Sequence, residues 1–204
     1  MTILLVDDHA LVRAGLMRLL ATLSPDRILE AADGRDALSL LRAHKPDLII
    51  LDLNLPGLGG LELLRRMIQA GGGPILVLSM HAEPLYAKRA LEAGAAGYVT
   101  KNASPEELLT AVRRVTAGGR YVEAELAQAL AAPGVGGARS LDNLSARELE
   151  IMRLLAKGAT LAEIASAVGV GYKTVANNCV QIKSKLGVSR TADLVRLAIE
   201  TGVG

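Results

Sequence analysis

The chain has 204 residues, half of them apolar, and a formal net charge of +2. Its only aromatic residues are four tyrosines and it has one cysteine, which argues against single-strand nucleic-acid binding on stacked aromatic rings, an intrachain disulfide and a zinc site of paired cysteines. No apolar run is long enough for a membrane span and the N-terminus lacks a basic signal region, so we expect a soluble, cytoplasmic protein without membrane contact.

Short apolar runs alternate with helical patterns over the first 117 residues. The runs lie at 3–6, 28–31, 48–51, 75–79 and 97–100, and the helical patterns lie at about 10–23, 35–44, 58–69, 84–93 and 105–117. Runs this short, with little polar alternation, are typical of buried parallel strands. The pattern predicts a doubly wound α/β domain with a five-stranded parallel sheet, which we assign to residues 1–118.

The character of the sequence changes after residue 118. A short helical pattern at 123–131 is followed by a glycine-rich stretch at 133–138, and we interpret 119–142 as an interdomain linker. From 143 to 204 only helical patterns occur, ending near 158, 168, 186 and 201. They predict a small all-α domain of four helices.

Polar residues follow four of the five predicted strands. Asp7 and Asp8 follow the first strand and Asp52 follows the third, so their carboxylates meet at the carboxyl edge of the sheet. Such a cluster repels itself unless a hard cation such as Mg²⁺ neutralises it. Ser79 and Lys101, at the ends of the fourth and fifth strands, complete the ring.

This residue set is suited to phosphoryl transfer onto a carboxylate. A metal ion and a lysine stabilise the charge of the transferring group while an aspartate acts as the nucleophile. Asp52 is the natural acceptor because it stands alone on its strand. Each residue also has an ordinary explanation, as a loop acid, a solvated lysine or a strand end. Their common placement directly after strands favours the site.

The first domain resembles the receiver domain of two-component response regulators. The resemblance covers about residues 2–118 and is carried by Ile3-Leu4-Leu5-Val6-Asp7-Asp8-His9, Asp52-Leu53-Asn54-Leu55-Pro56-Gly57, Ser79-Met80 and Gly94-Ala95-Ala96-Gly97-Tyr98-Val99-Thr100-Lys101. It implies phosphorylation of the acceptor Asp52 by a sensor histidine kinase. The implied Mg²⁺ ligands are Asp8, Asp52 and the backbone carbonyl of Asn54, with Asp7 assisting.

The same resemblance implies a switch in the first domain. Lys101 would bind the phosphate, Ser79 would be the switch hydroxyl and Tyr98 the aromatic switch residue. A switching ring needs two rotamers, outward before phosphorylation and inward once Ser79 moves toward the phosphate. The alternative is that Tyr98 is an ordinary surface residue of a strand.

The helical pattern at 172–186 has one apolar stripe and one polar face. The stripe consists of Val175, Cys179, Ile182 and Leu186, so Cys179 is expected in the core. Residues 164–192 contain no acid, and a helix with this face fits the major groove of DNA. The expected DNA-binding residues are Lys173, Thr174, Asn177, Asn178, Gln181, Lys183 and Lys185. The alternative is an amphipathic helix with a solvated polar face.

The second domain resembles the LuxR-type helix-turn-helix, over about 143–202. The resemblance is carried by Leu144-Ser145-Ala146-Arg147-Glu148-Leu149-Glu150-Ile151, Leu154-Leu155-Ala156-Lys157-Gly158, Glu163-Ile164-Ala165, Lys173-Thr174-Val175 and Ile182-Lys183-Ser184-Lys185-Leu186-Gly187-Val188. The family usually has Lys and His where this chain has Ala176 and Asn178, changes that weaken or redirect DNA binding. The resemblance also implies a homodimer through the last helix, with Leu194, Leu197 and Ala198 as candidate contacts.

Together the two domains resemble the NarL/FixJ class of response regulators, in which phosphorylation controls dimerisation, binding of double-stranded DNA and transcription. We do not expect an enzyme beyond autocatalytic phosphate acceptance and autodephosphorylation. Two alternatives stay open. The helical domain could bind protein within a phosphorelay, or the chain could be a Mg²⁺-dependent phosphatase. Asn54 argues against the phosphatase, because that position lacks the general acid which turnover needs.

Overall fold

The computed structural model describes residues 1–55, 60–80, 82, 84–131, 141, 144–201 and 203. The chain divides into two compact units, Met1–Ala132 and Pro133–Gly204. Among the described residues, no helix is long and apolar enough to cross a membrane.

The first unit alternates strands and helices along the chain. Its elements are β1 (Thr2–Val6), α1 (Ala10–Ala21), β2 (Arg27–Ala31), α2 (Gly34–His44), β3 (Leu48–Leu51), α3 (Gly60–Gln69), β4 (Ile75–Ser79), α4 (Pro84–Glu92), β5 (Gly97–Thr100), α5 (Pro105–Thr116), β6 (Tyr121–Val122) and α6 (Ala124–Ala131). All strand pairs are parallel, in the order β2-β1-β3-β4-β5-β6. The central strands β3 and β4 are buried at every residue, which explains their unbroken apolar runs.

The parallel receiver-type sheet is confirmed, but it has six strands where the sequence predicts five. The additional strand β6 is only two residues long and pairs Tyr121 with Gly97 and Val122 with Tyr98. A Cβ on Gly97 would lie 2.8 Å from the carbonyl oxygen of Tyr121, so the glycine allows this close approach. Two residues are too few to show a strand period, and the pattern therefore missed β6.

The sequence assigns 119–142 to a linker, and the structure gives part of that segment a regular fold. Residues 121–131 form β6 and α6 inside the first unit, α6 matching the helical pattern expected at 123–131. Leu126 of α6 is buried, and the helix packs against α4. The rest of the predicted linker, apart from Leu141, lies outside the described residues.

The second unit contains four helices among its described residues, as predicted: α7 (Ala146–Ala156), α8 (Leu161–Ala167), α9 (Tyr172–Leu186) and α10 (Thr191–Glu200). Capping boxes start α7 at Ser145 and α8 at Thr160. Helix α9 ends at Gly187, whose φ of 65° is left-handed. The predicted apolar stripe of α9, including Cys179, faces the core.

Candidate functional site

The carboxyl ends of β1, β3, β4 and β5 bring the predicted residues to one edge of the sheet. Asp7 follows β1 and Asp52 follows β3, and both are buried. Ser79 is the last residue of β4 and is also buried, while Lys101 directly follows β5. This convergence follows from the parallel topology, in which all strands point the same way.

Lys101 joins the two buried carboxylates. Its Nζ lies 2.6 Å from Asp7 Oδ2 and 2.6 Å from Asp52 Oδ2. Burial raises the pKa of Asp52, although hydrogen bonds from Lys101 and from the backbone N–H of Asn54 oppose this shift. Desolvation lowers the pKa of Lys101, but the contacts with Asp52 and Asp7 outweigh it and the net pKa is raised. The ammonium therefore stays charged beside the acceptor carboxylate.

The acidic cluster has the composition of a site for a hard cation. Ligand atoms of Asp7, Asp8, His9 and Asp52 lie within 4.8 Å of one another. Asp7 Oδ2 and Asp8 Oδ1 are buried, and their close contacts are ion pairs with Lys101 at 2.6 Å and with His9 at 2.8 Å. Buried carboxylate oxygens in this state fit a divalent metal ion such as Mg²⁺.

Asn54 and His9 extend this cluster. The backbone N–H of Asn54 donates to Asp52 Oδ1 at 3.0 Å, which places this residue beside the acceptor. His9 Nδ1 lies 2.8 Å from Asp8 Oδ1. His9 is not among the site residues predicted from the sequence, although its position directly after the Asp7-Asp8 pair indicates it.

Tyr98 is completely buried, so the alternative of a surface strand position is wrong. The resemblance implies an outward ring before phosphorylation, whereas the ring in the structure lies inside. The reason is its surroundings: β5 lies between β4 and β6, and α4 packs on it. Ser79 is the register partner of Thr100 on the same pair of strands.

The exposed face of α9 carries most of the predicted DNA-binding residues. Lys173, Thr174, Asn177 and Gln181 are exposed, and Lys183 is half-buried on the flank. Asn178 is also half-buried, and its Nδ2 donates to the carbonyl of Thr174 at 2.8 Å, within its own helix. Lys185 is exposed as well, so five of the seven predicted residues are exposed.

Lys185 differs from the other predicted DNA contacts because it has a partner inside the chain. Its Nζ lies 2.7 Å from Oε2 of Glu148, which is buried at the first turn of α7. Burial acts to raise the pKa of Glu148, but hydrogen bonds from Lys185 and Ser145 lower it overall. Lys185 thus ties α9 to α7. Sequence spacing gave no signal for this pair, whose members are 37 residues apart.

Two exposed side chains of α9 are not among the residues predicted from the sequence. Tyr172 is 59% exposed and Val180 is 61% exposed. Val180 lies three residues after Asn177 and seven after Lys173, so the three share the outer face. The helical period of this segment is sufficient to place Val180 on the outer face.

The candidate dimer contacts need a correction. Leu194, Leu197 and Ala198 are buried within the second unit, where α10 packs against α7. They form the core of that unit and cannot also form a surface between two chains. Ile199, 62% exposed on the same helix, is a large apolar residue that α10 leaves on the surface.

Two family models match the chain. The response regulator receiver domain matches residues 3–113, and the luxR family of bacterial regulatory proteins matches residues 142–198. The transcriptional activator protein ExaE of Pseudomonas putida is 44% identical over 209 residues, covering 100% of this chain and 98% of the relative. The response regulator UvrY of Escherichia coli K12 is 35% identical, covering 98% of this chain and 94% of the relative.

Solved structures show the same relationship. A LuxR-family two-component response regulator from Aurantimonas is 42% identical with a TM-score of 0.59, covering 64% of this chain and 94% of that one. RcsB from Salmonella enterica serovar Typhimurium, bound to the promoter rprA with a phosphomimetic, is 26% identical with a TM-score of 0.65. That match covers 96% of this chain and 97% of RcsB.

Proposed function

The chain belongs to the response regulators that join a receiver domain to a LuxR-type DNA-binding domain, and we infer that phosphorylation of Asp52 controls how the helical unit binds DNA. The observation that carries this proposal is the buried Asp7–Lys101–Asp52 arrangement, with both ion-pair distances at 2.6 Å. A buried carboxylate beside a charged lysine and an acidic cluster is a phosphoryl acceptor prepared for a highly charged transition state.

The phosphoryl donor is a phosphohistidine of a sensor kinase. An Oδ of Asp52 attacks the phosphorus, the new P–O bond forms, and the P–N bond breaks with its electron pair returning to the imidazole. Lys101 supports this step because its ammonium, already 2.6 Å from Asp52 Oδ2, neutralises the negative charge of the phosphoryl oxygens. Ser79, at the end of β4, offers a hydroxyl donor to the phosphorylated site.

We assign the cation site to Asp7, Asp8 and Asp52, with the backbone carbonyl of Asn54. The support is the clustering of ligand atoms of Asp7, Asp8 and Asp52 within 4.8 Å of one another. Mg²⁺ at this site would supply positive charge to the phosphoryl oxygens. His9, which contacts Asp8, holds that carboxylate in place.

The helical unit supplies the output. Lys173, Thr174, Asn177 and Gln181 form an exposed, acid-free face on α9, suited to phosphates and base edges in the major groove. Reading two half-sites requires a homodimer, and Ile199 is a large exposed apolar residue available on α10. Because the target is DNA, we expect the protein to act in the cytoplasm, without catalytic turnover of a small substrate.

Selection from random duplex DNA tests this function. Wild-type protein with Mg²⁺ and beryllofluoride should enrich a motif with two half-sites, and Asp52→Asn should not. If both proteins enrich the same motif equally, Asp52 does not control DNA binding. If neither enriches any sequence, the α9 face binds something other than DNA, and a protein partner becomes the better proposal. That partner would show little of the steep salt dependence expected for DNA.

A further inference from the structure

Glu123 lies between β6 and α6 and holds the end of β5 with both carboxylate oxygens. The backbone N–H of Thr100 donates to Oε1, and the hydroxyl of Thr100 donates to Oε2 at 3.2 Å. Strand β6 pairs with β5 only through Tyr121 and Val122. The Glu123 side chain therefore takes over the next backbone donor of β5, which a longer β6 would have paired.

Thr100 connects this contact to the phosphorylation site. In the sheet register Thr100 pairs with Ser79, and it directly precedes Lys101. The backbone N–H of Lys101 donates to the carbonyl of Ser79 at 2.8 Å. Ser79, Thr100 and Glu123 consequently form one row across the carboxyl end of the sheet, with the acceptor site at one end and α6 at the other.

Glu123 also begins the last described segment of the first unit. It directly precedes α6, which packs against α4 and buries Leu126. The hydroxyl of Tyr121 donates to Glu107 Oε1 at 3.0 Å and fixes the other side of β6 to α5. Helix α6, the last described element before the helical unit, is therefore attached to β5, the strand that pairs with β4 and directly precedes Lys101.

We propose that Glu123 is a positioning residue whose hydrogen bonds to Thr100 couple the docking of α6 to the phosphoryl state of Asp52. The proposal rests on the proposed function and adds its route of transmission. A shift of Ser79 toward a phosphoryl group moves the end of β4 and, through their shared register, Thr100. That movement weakens the Thr100–Glu123 contact and loosens α6. By thermodynamic reciprocity, loosening α6 must favour the phosphoryl-bound state.

Hydrogen–deuterium exchange of the full chain tests the contact itself. Without any phosphoryl mimic, Glu123→Ala should raise the exchange of the α6 amides roughly tenfold, because a hydrogen bond to a charged group is lost. Glu123→Gln should restore much of the protection, since its amide can accept from the Thr100 N–H and donate to the Thr100 hydroxyl. Gln128→Ala, at an exposed position of the same helix beyond its first turn, is the matched control and should behave as wild type.

Beryllofluoride with Mg²⁺ tests the coupling. In the wild type it should raise α6 exchange by about fivefold or more, and in Glu123→Ala it should add no further increase. Glu123→Ala should also bind beryllofluoride about fivefold more tightly, an effect that a merely structural role would not produce. Unchanged α6 exchange or unchanged beryllofluoride affinity in Glu123→Ala overturns the inference alone. Failure of the wild type to bind beryllofluoride overturns the proposed function as well.

Discussion

The sequence pattern and the structure predict different roles for Lys185. The pattern makes it a DNA contact, whereas in the structure its ion pair with Glu148 joins α9 to α7. Lys185→Met keeps the aliphatic stem and removes the ammonium from Glu148 Oε2, 2.7 Å away. Glu148 keeps the 2.7 Å hydrogen bond from the backbone N–H of Ser145 but loses its cation while buried. The Lys185 side chain is 40% exposed, so solvent screens the pair. We expect a loss of about 1–2 kcal/mol in the unfolding free energy of the helical unit.

Native-state hydrogen exchange of α7 measures this loss. A change of about 1–2 kcal/mol corresponds to exchange that is roughly 5–30-fold faster. Lys173→Met is the control: Lys173 is exposed on the outer face of α9, and its substitution should leave exchange unchanged. The control should instead reduce the salt dependence of DNA affinity, with a change of about 0.9 in the slope of log K against log salt.

The pH dependence gives an independent check. The pKa of Glu148 is held below the ordinary value of 4.5, so its contribution to stability is full above pH 4.5 and disappears as the pH falls through the folded-state pKa. Wild type and Lys185→Met should therefore converge in acid. If Lys185→Met leaves α7 exchange unchanged and reduces the salt slope as Lys173→Met does, Lys185 is a phosphate contact and the reasoning is refuted.

Three further substitutions test the site, the fold and the DNA face. Lys101→Met should tighten Mg²⁺ binding about fivefold in calorimetry, because an ammonium no longer competes for Asp52, and weaker binding would contradict that electrostatic account. Gly60→Ala should lower the unfolding free energy by about 1–3 kcal/mol in chemical denaturation, since its Cβ would lie 2.2 Å from Leu53 Cα, and wild-type stability would show that the approach is not tight. Val180→Ala should weaken operator binding about fivefold in gel shifts, because an apolar contact with a thymine methyl group is lost. The variant should also become insensitive to thymine-to-uracil replacement at one position. If that replacement still weakens binding by the variant, Val180 does not contact the methyl group.

The sequence predicted those parts of the site that depend only on strand ends. Asp7, Asp52 and Lys101 each follow an apolar run, and parallel strands bring their ends together whatever the detailed packing. The Lys185–Glu148 pair escaped prediction because it depends on how α9 crosses α7, a tertiary property without a period in the sequence. Tyr98 shows the same limit, since its burial depends on tertiary packing, such as that of α4 on β5, which has no period in the sequence.

In the helical unit, too, the sequence predicted some features and not others. The apolar stripe through Val175 and Leu186 predicted the inner face of α9, because one helical period specifies both faces. For α10 the sequence showed which residues are apolar but not which partner they pack against. The family resemblance implied that Leu194 and Ala198 contact a second chain, whereas the structure buries them in the core of the helical unit.

The shortness of β6 has a consequence for behaviour at high concentration. An edge strand with a long row of unpaired amides can recruit the edge of another molecule, which leads to aggregation. Here the outermost strand spans only Tyr121 and Val122. The next backbone amide of β5, that of Thr100, is taken by a carboxylate that a foreign strand would have to displace. The side chain of Glu123, which links α6 to the sheet, thus also protects this edge of the sheet from pairing with a strand of another molecule.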